Sequence, residues 1–197
     1  MFGIRTRELN GPPHGMYFSV DSHAQPLKML LFVRCAWTLA QELDIPDLYP
    51  APDVGSSALP DDETKEIWER RWVREWERAW EWYDTREAQI APISQEEMGR
   101  LSRSGQPLNP AVPPFWVTKY GMAGLDWAAF SRWDELTTTT DSSFIPKLKG
   151  SEIRSAGIRN ITVLPYSGYF AERRNVTHIV ISGETIKDAD LFRRAFE

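Results

Sequence analysis

DDETKEIWERRWVREWERAWEWYDTREAQI, residues 61–90, decides how the rest of the chain is read. On a helix that advances about 100° per residue, Trp68, Trp72, Trp76 and Trp80 step slowly around the axis. Ala79 and Tyr83 fall between them, and Val73 and Trp82 lie at the margins. That makes one broad apolar face. The other side collects Glu66, Arg70, Arg74, Glu77, Arg78, Glu81 and Asp84, with Glu66 four residues ahead of Arg70 in the favourable order. Pro60 followed by Asp61, Asp62 and Glu63 marks a start, because an aspartate caps free amides and early acidic charge suits the helix dipole; Pro92 limits the far end.

Four tryptophans at fixed spacing fit either a stacking platform, for bases or a sugar, or a core. Burying each ring removes about 150–250 Å² from water, worth several kcal/mol at about 25 cal/mol per Å². An exposed stripe would also invite aggregation. A base platform wants a basic groove beside its rings, and this segment holds ten acids against six bases. The stripe is therefore read as core, with one or two rings at its edge in reach of a partner.

Working outward, residues 26–44 predict a second helix, in which Met29, Phe32, Val33, Ala36, Trp37, Ala40 and Leu43 recur at three and four. Leu27, Leu30 and Leu31 widen its apolar surface and leave a narrow polar edge of Lys28, Arg34, Thr38, Gln41 and Glu42. A third helix is expected over 125–136, from Leu125, Ala129, Trp133 and Leu136. Strands are expected at 16–21, where Met16, Phe18 and Val20 alternate with polar residues, and within 160–182, where β-branched runs are split by turn residues. Asp188 caps a short final helix. Residues 94–103 predict a helical continuation, Phe115 to Tyr120 a short strand, and 105–114 a proline-rich connector. The sum is an α+β fold: three main helices on a small, mostly antiparallel sheet, in one domain spanning 1–197 with an N-terminal arm at 1–13.

Composition narrows the functional classes. A net charge of −5 and a pI near 5.3 disfavour nucleic acid and anionic lipid and suit a basic protein partner. Cys35 is the single cysteine, which excludes an intrachain disulfide and a multi-cysteine metal site; in an apolar helix it reads as a small buried hydrophobe. The N-terminus lacks the apolar run of a signal peptide, and the expected location is cytoplasmic, with no membrane span. Asn160-Ile161-Thr162 and Asn175-Val176-Thr177 match the glycosylation pattern without a secretory context to use it.

The charge is uneven. Between Arg34 and Lys65 there is no Lys or Arg, while Glu42, Asp44, Asp47, Asp53, Asp61, Asp62 and Glu63 all fall there, many within the proline-rich connector 45–60. A candidate partner surface follows: Asp47, Asp53, Asp61 and Asp62 as steering charges, Leu48 and Tyr49 as apolar anchors.

Catalytic and metal motifs are missing from the sequence: no phosphate loop, no nucleophile elbow, no H-E-x-x-H, and three scattered histidines, so no cofactor and no metal is expected. Ser19, Asp21 and His23 would share a strand face, but second neighbours sit about 6–7 Å apart, too far for a relay needing about 3 Å. The rival to a binding surface is a small-molecule or enzyme pocket near the C-terminal strands, drawn from Tyr166, Tyr169, Arg173, Arg174 and His178. The favoured reading is a non-catalytic acidic protein-binding module, an inhibitor, an immunity-type protein or an assembly adaptor, that acts by covering a surface.

Overall fold

A computed structural model describes residues 19–89, 115–138 and 156–197. The expected arm at 1–13, the helical continuation at 94–103 and the connector at 105–114 lie outside the described residues. In chain order the elements are β1 (Ser19–Asp21), α1 (Gln25–Trp37), α2 (Lys65–Gln89), α3 (Trp116–Tyr120), α4 (Trp127–Thr137), β2 (Asn160–Leu164), β3 (Ala171–Arg173), β4 (His178–Ser182), α5 (Gly183–Lys187) and α6 (Ala189–Arg194). The α+β class holds: helices pack with a small four-stranded sheet.

The sheet departs from expectation in its direction. Its order is β1-β2-β4-β3, with β1–β2 and β2–β4 parallel and only β3–β4 antiparallel. The physical reason is visible in β4, all five residues of which are buried. Parallel strands are covered on both faces and read as continuous apolar runs, as Ile179 to Ile181 does. Ile161, Val163, Ile179 and Ile181 turn toward α5 and α6, where Ile186 and Phe192 meet them. Leu164 and Val180 turn the other way, into the aromatic core.

That core is built by α1, α2, α3 and α4. Trp72 and Trp68 are buried, Trp80 nearly so, and Trp76 is half-buried between Trp72 and Trp80 at centroid distances of 5.3 and 5.4 Å. Trp72 also donates its Nε1–H to the Leu30 carbonyl at 2.7 Å, so the polar tip of the ring is satisfied where it is fully enclosed. Trp37, Trp68 and Trp116 form a second cluster, with centroids 5.1 to 6.0 Å apart.

Helix boundaries moved for identifiable reasons. Helix α1 stops at Trp37 rather than 44, because Thr38 and Ala40 take positive φ and turn the chain so that Leu39 and Ala40 are still buried. Arg34 donates to the Ala40 carbonyl at 3.4 Å across that turn. Helix α2 starts at Lys65, leaving Asp61 and Asp62 in the turn before it, and the Thr64 carbonyl accepts the first helical bonds from Ile67 and Trp68. Helix α4 begins after Asp126, whose Oδ1 accepts from the Ala129 amide at 3.0 Å. Residues 116–120 are helical rather than extended, since burying Trp116 against Trp37 and Trp68 outweighs a weak strand preference. Asp188 caps α6 as expected, accepting from the Asp190 and Leu191 amides.

Two charged side chains lie inside. Lys28, placed on the polar edge of α1, is wholly buried; its Nζ donates to Asp134 Oδ1 at 3.1 Å and Thr138 Oγ1 at 2.7 Å. Glu75 of α2 is buried against α3. Cys35 is half-buried, and burial pushes its thiol up, away from reactivity.

Candidate functional site

The acidic connector is an ordered strap rather than a loose loop. Its backbone is tied at one end to the turn after β2: Ser167 N donates to the Asp47 carbonyl at 2.7 Å, Tyr49 N donates to the Pro165 carbonyl at 2.8 Å, and Leu48 forms an antiparallel bridge with Tyr166. Trp133 of α4 then donates its indole N–H to the Pro50 carbonyl at 2.7 Å. Ser56 donates through both its amide and its hydroxyl to Asp126 Oδ2, each at 3.1 Å, and Ala58 N donates to the Gly124 carbonyl at 2.9 Å.

Two glycines make this approach feasible. Gly55 (φ 56°) and Gly124 (φ 73°) both sit in the left-handed region. A Cβ on Gly124 would lie 2.3 Å from the Ala58 carbonyl oxygen, and one on Gly55 would lie 2.4 Å from Asp126 Oδ2. The strap and the loop before α4 meet at backbone distance, which only residues without a side chain permit.

On this pinned backbone Asp47 and Asp53 are exposed and Tyr49 is 63% exposed; Asp61 and Asp62 are exposed in the turn between the strap and α2. Asp53 also accepts from the Gly55 amide at 3.0 Å, which fixes its carboxylate. Leu48 is half-buried and packs against the aromatic core, so it serves to hold the strap down. Glu63 pairs with Arg71 at 2.8 Å, leaving Asp61 and Asp62 as the outward charges of the turn. Asp126, which clamps the strap, has its carboxyl lowered by the Ala129 and Ser56 amides and the Ser56 hydroxyl.

A shallow open trough of about 470 Å³ runs along the outer face of α2, lined by Glu42, Glu66, Glu69, Arg70, Val73, Arg74 and Glu77. The α2 residues recur at three and four, one stripe of the helix. The sequence holds that pattern, but not the wall that Glu42 supplies from the turn beyond α1.

The residues proposed for a C-terminal pocket each have surroundings of their own. Tyr166 is buried, with burial holding its phenol protonated well above the usual range. Tyr169 is exposed, with the Arg194 guanidinium 4.5 Å above its ring. Arg173 donates to the Ala156 carbonyl. Arg174 binds Asp84 at 3.1 Å and Glu172 at 3.0 Å and lies 4.5 Å over the Trp80 ring.

His178 is the residue that sequence spacing left without partners. Its Nδ1 lies 2.9 Å from Asp84 Oδ1, and its Nε2 lies 2.9 Å from Thr162 Oγ1. The order carboxylate, imidazole, hydroxyl is that of an acid–base relay. Thr162, however, is 2% exposed on a central strand, and the imidazole lies beneath Trp80, so the hydroxyl offers no approach to a substrate. The relay instead fastens the end of α2 to the β3–β4 turn, where Asn175 also donates to the Asp84 carbonyl. No sequence rule links Asp84 to His178, which are 94 positions apart.

Ser19, Asp21 and His23 part company as well. Ser19 donates to Asn160 Oδ1, Asp21 accepts from the His23 and Ala24 amides ahead of α1, and the His23 side chain is exposed. Both sequon asparagines are occupied structurally: Asn160 by Ser19, Asn175 by the Thr177 and His178 amides. Among the described residues no group of three or more His, Cys, Asp or Glu is placed to hold a metal ion, and no helix is long and apolar enough to cross a membrane. The chain matches no family model, no curated protein and no solved structure.

Proposed function

We propose that this chain is a non-catalytic protein-binding module that covers a basic surface on a partner, in the manner of an inhibitor, an immunity-type protein or an assembly adaptor. The observation that carries the reading is the strap: exposed Asp47, Asp53 and Tyr49 on a backbone hydrogen-bonded to the turn after β2, to α4 and to the Gly124 loop, followed by exposed Asp61 and Asp62 before α2. Fixed charges lose little freedom on association, so binding energy is not spent on ordering them. Aspartates at the rim steer encounter, and Tyr49 supplies a rigid aromatic surface to bury. No nucleic acid and no membrane enters this reading, and the setting is cytoplasmic.

The test is affinity capture on the immobilised full chain, followed by kinetics with the recovered partner. The combined variant Asp47→Asn, Asp53→Asn, Asp61→Asn, Asp62→Asn should slow association by about tenfold or more at low salt, and the wild-type rate should fall steeply as salt rises. Tyr49→Ala should act mainly on dissociation. A partner captured equally well by both variants, at every ionic strength, removes the strap as the binding surface.

A further inference from the structure

We propose a second site on α2, an anion site for a dianionic phosphoryl group, organised by the buried carboxylate of Glu75 where three cations converge. Arg78 Nη1 donates to Glu75 Oε2 at 3.0 Å, Lys119 Nζ donates to Oε1 at 2.5 Å, and Arg74 Nε lies 3.4 Å from Oε1. The Tyr120 hydroxyl also donates to Oε1 at 3.2 Å and accepts from Arg74 Nη2 at 2.6 Å. One carboxylate against three cations leaves two positive charges over, in a chain whose net charge is −5. The side chains of Arg74, Arg78 and Lys119 are 56, 51 and 40% exposed, so all three cations are reached by solvent. Glu77 and Glu81 are one helical turn away, but neither pairs with Arg74 or Arg78 among the described residues.

The arrangement is preorganised for an anion. Burial works to raise the Glu75 carboxyl, yet Lys119, Arg78 and Tyr120 together hold it below the ordinary carboxylate range, so it stays charged and keeps three mutually repelling cations in place. Two guanidinium forks one helical turn apart and an ammonium group suit the several oxygens of a phosphoryl group. A phosphoryl dianion also balances the surplus, which a single carboxylate would only halve. Free phosphate and a phosphate monoester present the same head, and the size of the substituent tells them apart.

Calorimetry on the full chain at constant ionic strength, with inorganic phosphate, O-phosphoserine and acetate as probes, tests the site. Phosphate or phosphoserine should bind saturably, and more weakly at pH 5.5 than at pH 8, where the second proton has left. Tighter binding of phosphoserine identifies a monoester site; tighter binding of phosphate identifies a free-ion site. The double variant Arg78→Gln, Lys119→Gln should lose about tenfold or more, and Arg193→Gln, an exposed arginine paired with Asp190, should lose nothing. Glu77→Gln, Glu81→Gln leaves the cluster intact and should tighten phosphate, so the site can be judged even if the first double variant fails to fold. Absence of saturable binding, equal binding of acetate, or a Glu77→Gln, Glu81→Gln chain that binds phosphate no better than wild type overturns the proposal.

Discussion

Replacing Asp134 by Asn should destabilise the fold by an amount that shrinks as the pH rises, and the reason lies in Lys28. Its side chain is wholly buried, and its ammonium group depends on Asp134 at 3.1 Å and Thr138 at 2.7 Å. Burial lowers the Lys28 pKa from its ordinary 10.5, while Asp134, and more weakly Asp21, oppose the shift. Because the folded pKa lies below the unfolded one, the unfolded chain binds more protons in the interval between them. Stability therefore rises with pH through that interval. Asp134→Asn keeps an acceptor but removes the charge, so the folded pKa falls further and the slope steepens.

The size of the loss is bounded. Breaking one side of a buried pair typically costs about 3–5 kcal/mol. The chain can instead carry a neutral lysine, at about 1.4 kcal/mol for each pH unit below 10.5. The ceiling is about 5 kcal/mol at pH 7 and about 2 kcal/mol at pH 9. Lys28→Met retains the buried stem and leaves Asp134 partly in water, so about 1 kcal/mol or less is expected, with no alkaline slope. Urea titrations followed by tryptophan fluorescence at pH 7 and pH 9 measure both. An Asp134→Asn loss that is the same at the two pH values, or below about 0.5 kcal/mol at pH 7, would refute the sequestered ammonium.

Two further outcomes test the strap. Gly124→Ala should lower thermal stability by more than Gly168→Ala: both glycines have positive φ, worth about 1 kcal/mol against a side chain, but only the Gly124 Cβ runs into backbone, at 2.3 Å from the Ala58 oxygen. Asp126 holds a depressed carboxyl, so its contribution is present above its unfolded pKa and is lost as pH falls through the folded value; the protection of the Ser56 and Ala129 amides, measured against their intrinsic exchange rates at each pH, should fall together on acidification, and Asp126→Ala should abolish that pH response.

The α2 helix and its aromatic face were legible from spacing, since periodicity near 3.6 is local and an amphipathic stripe of large rings has few stable uses other than burial. The cap at Asp188 was legible for the same local reason. The strap acids could be named from charge alone. The order of the strap rests on Ser167, Pro165, Trp133 and Gly124, which meet it only once the chain is folded.

Composition and periodicity by themselves determined an α+β chain with an aromatic core and a one-sided acidic connector. Tertiary structure alone decided that two of three strand pairings are parallel, that Lys28 and Glu75 are enclosed, and that His178 joins Asp84 to Thr162. The reason is one of range. A helix face is set by residues three and four apart, whereas the partner that makes the buried Lys28 tolerable arrives from another element 106 positions away, and Lys119 reaches the buried Glu75 from 44 positions away to join Arg78 of its own helix.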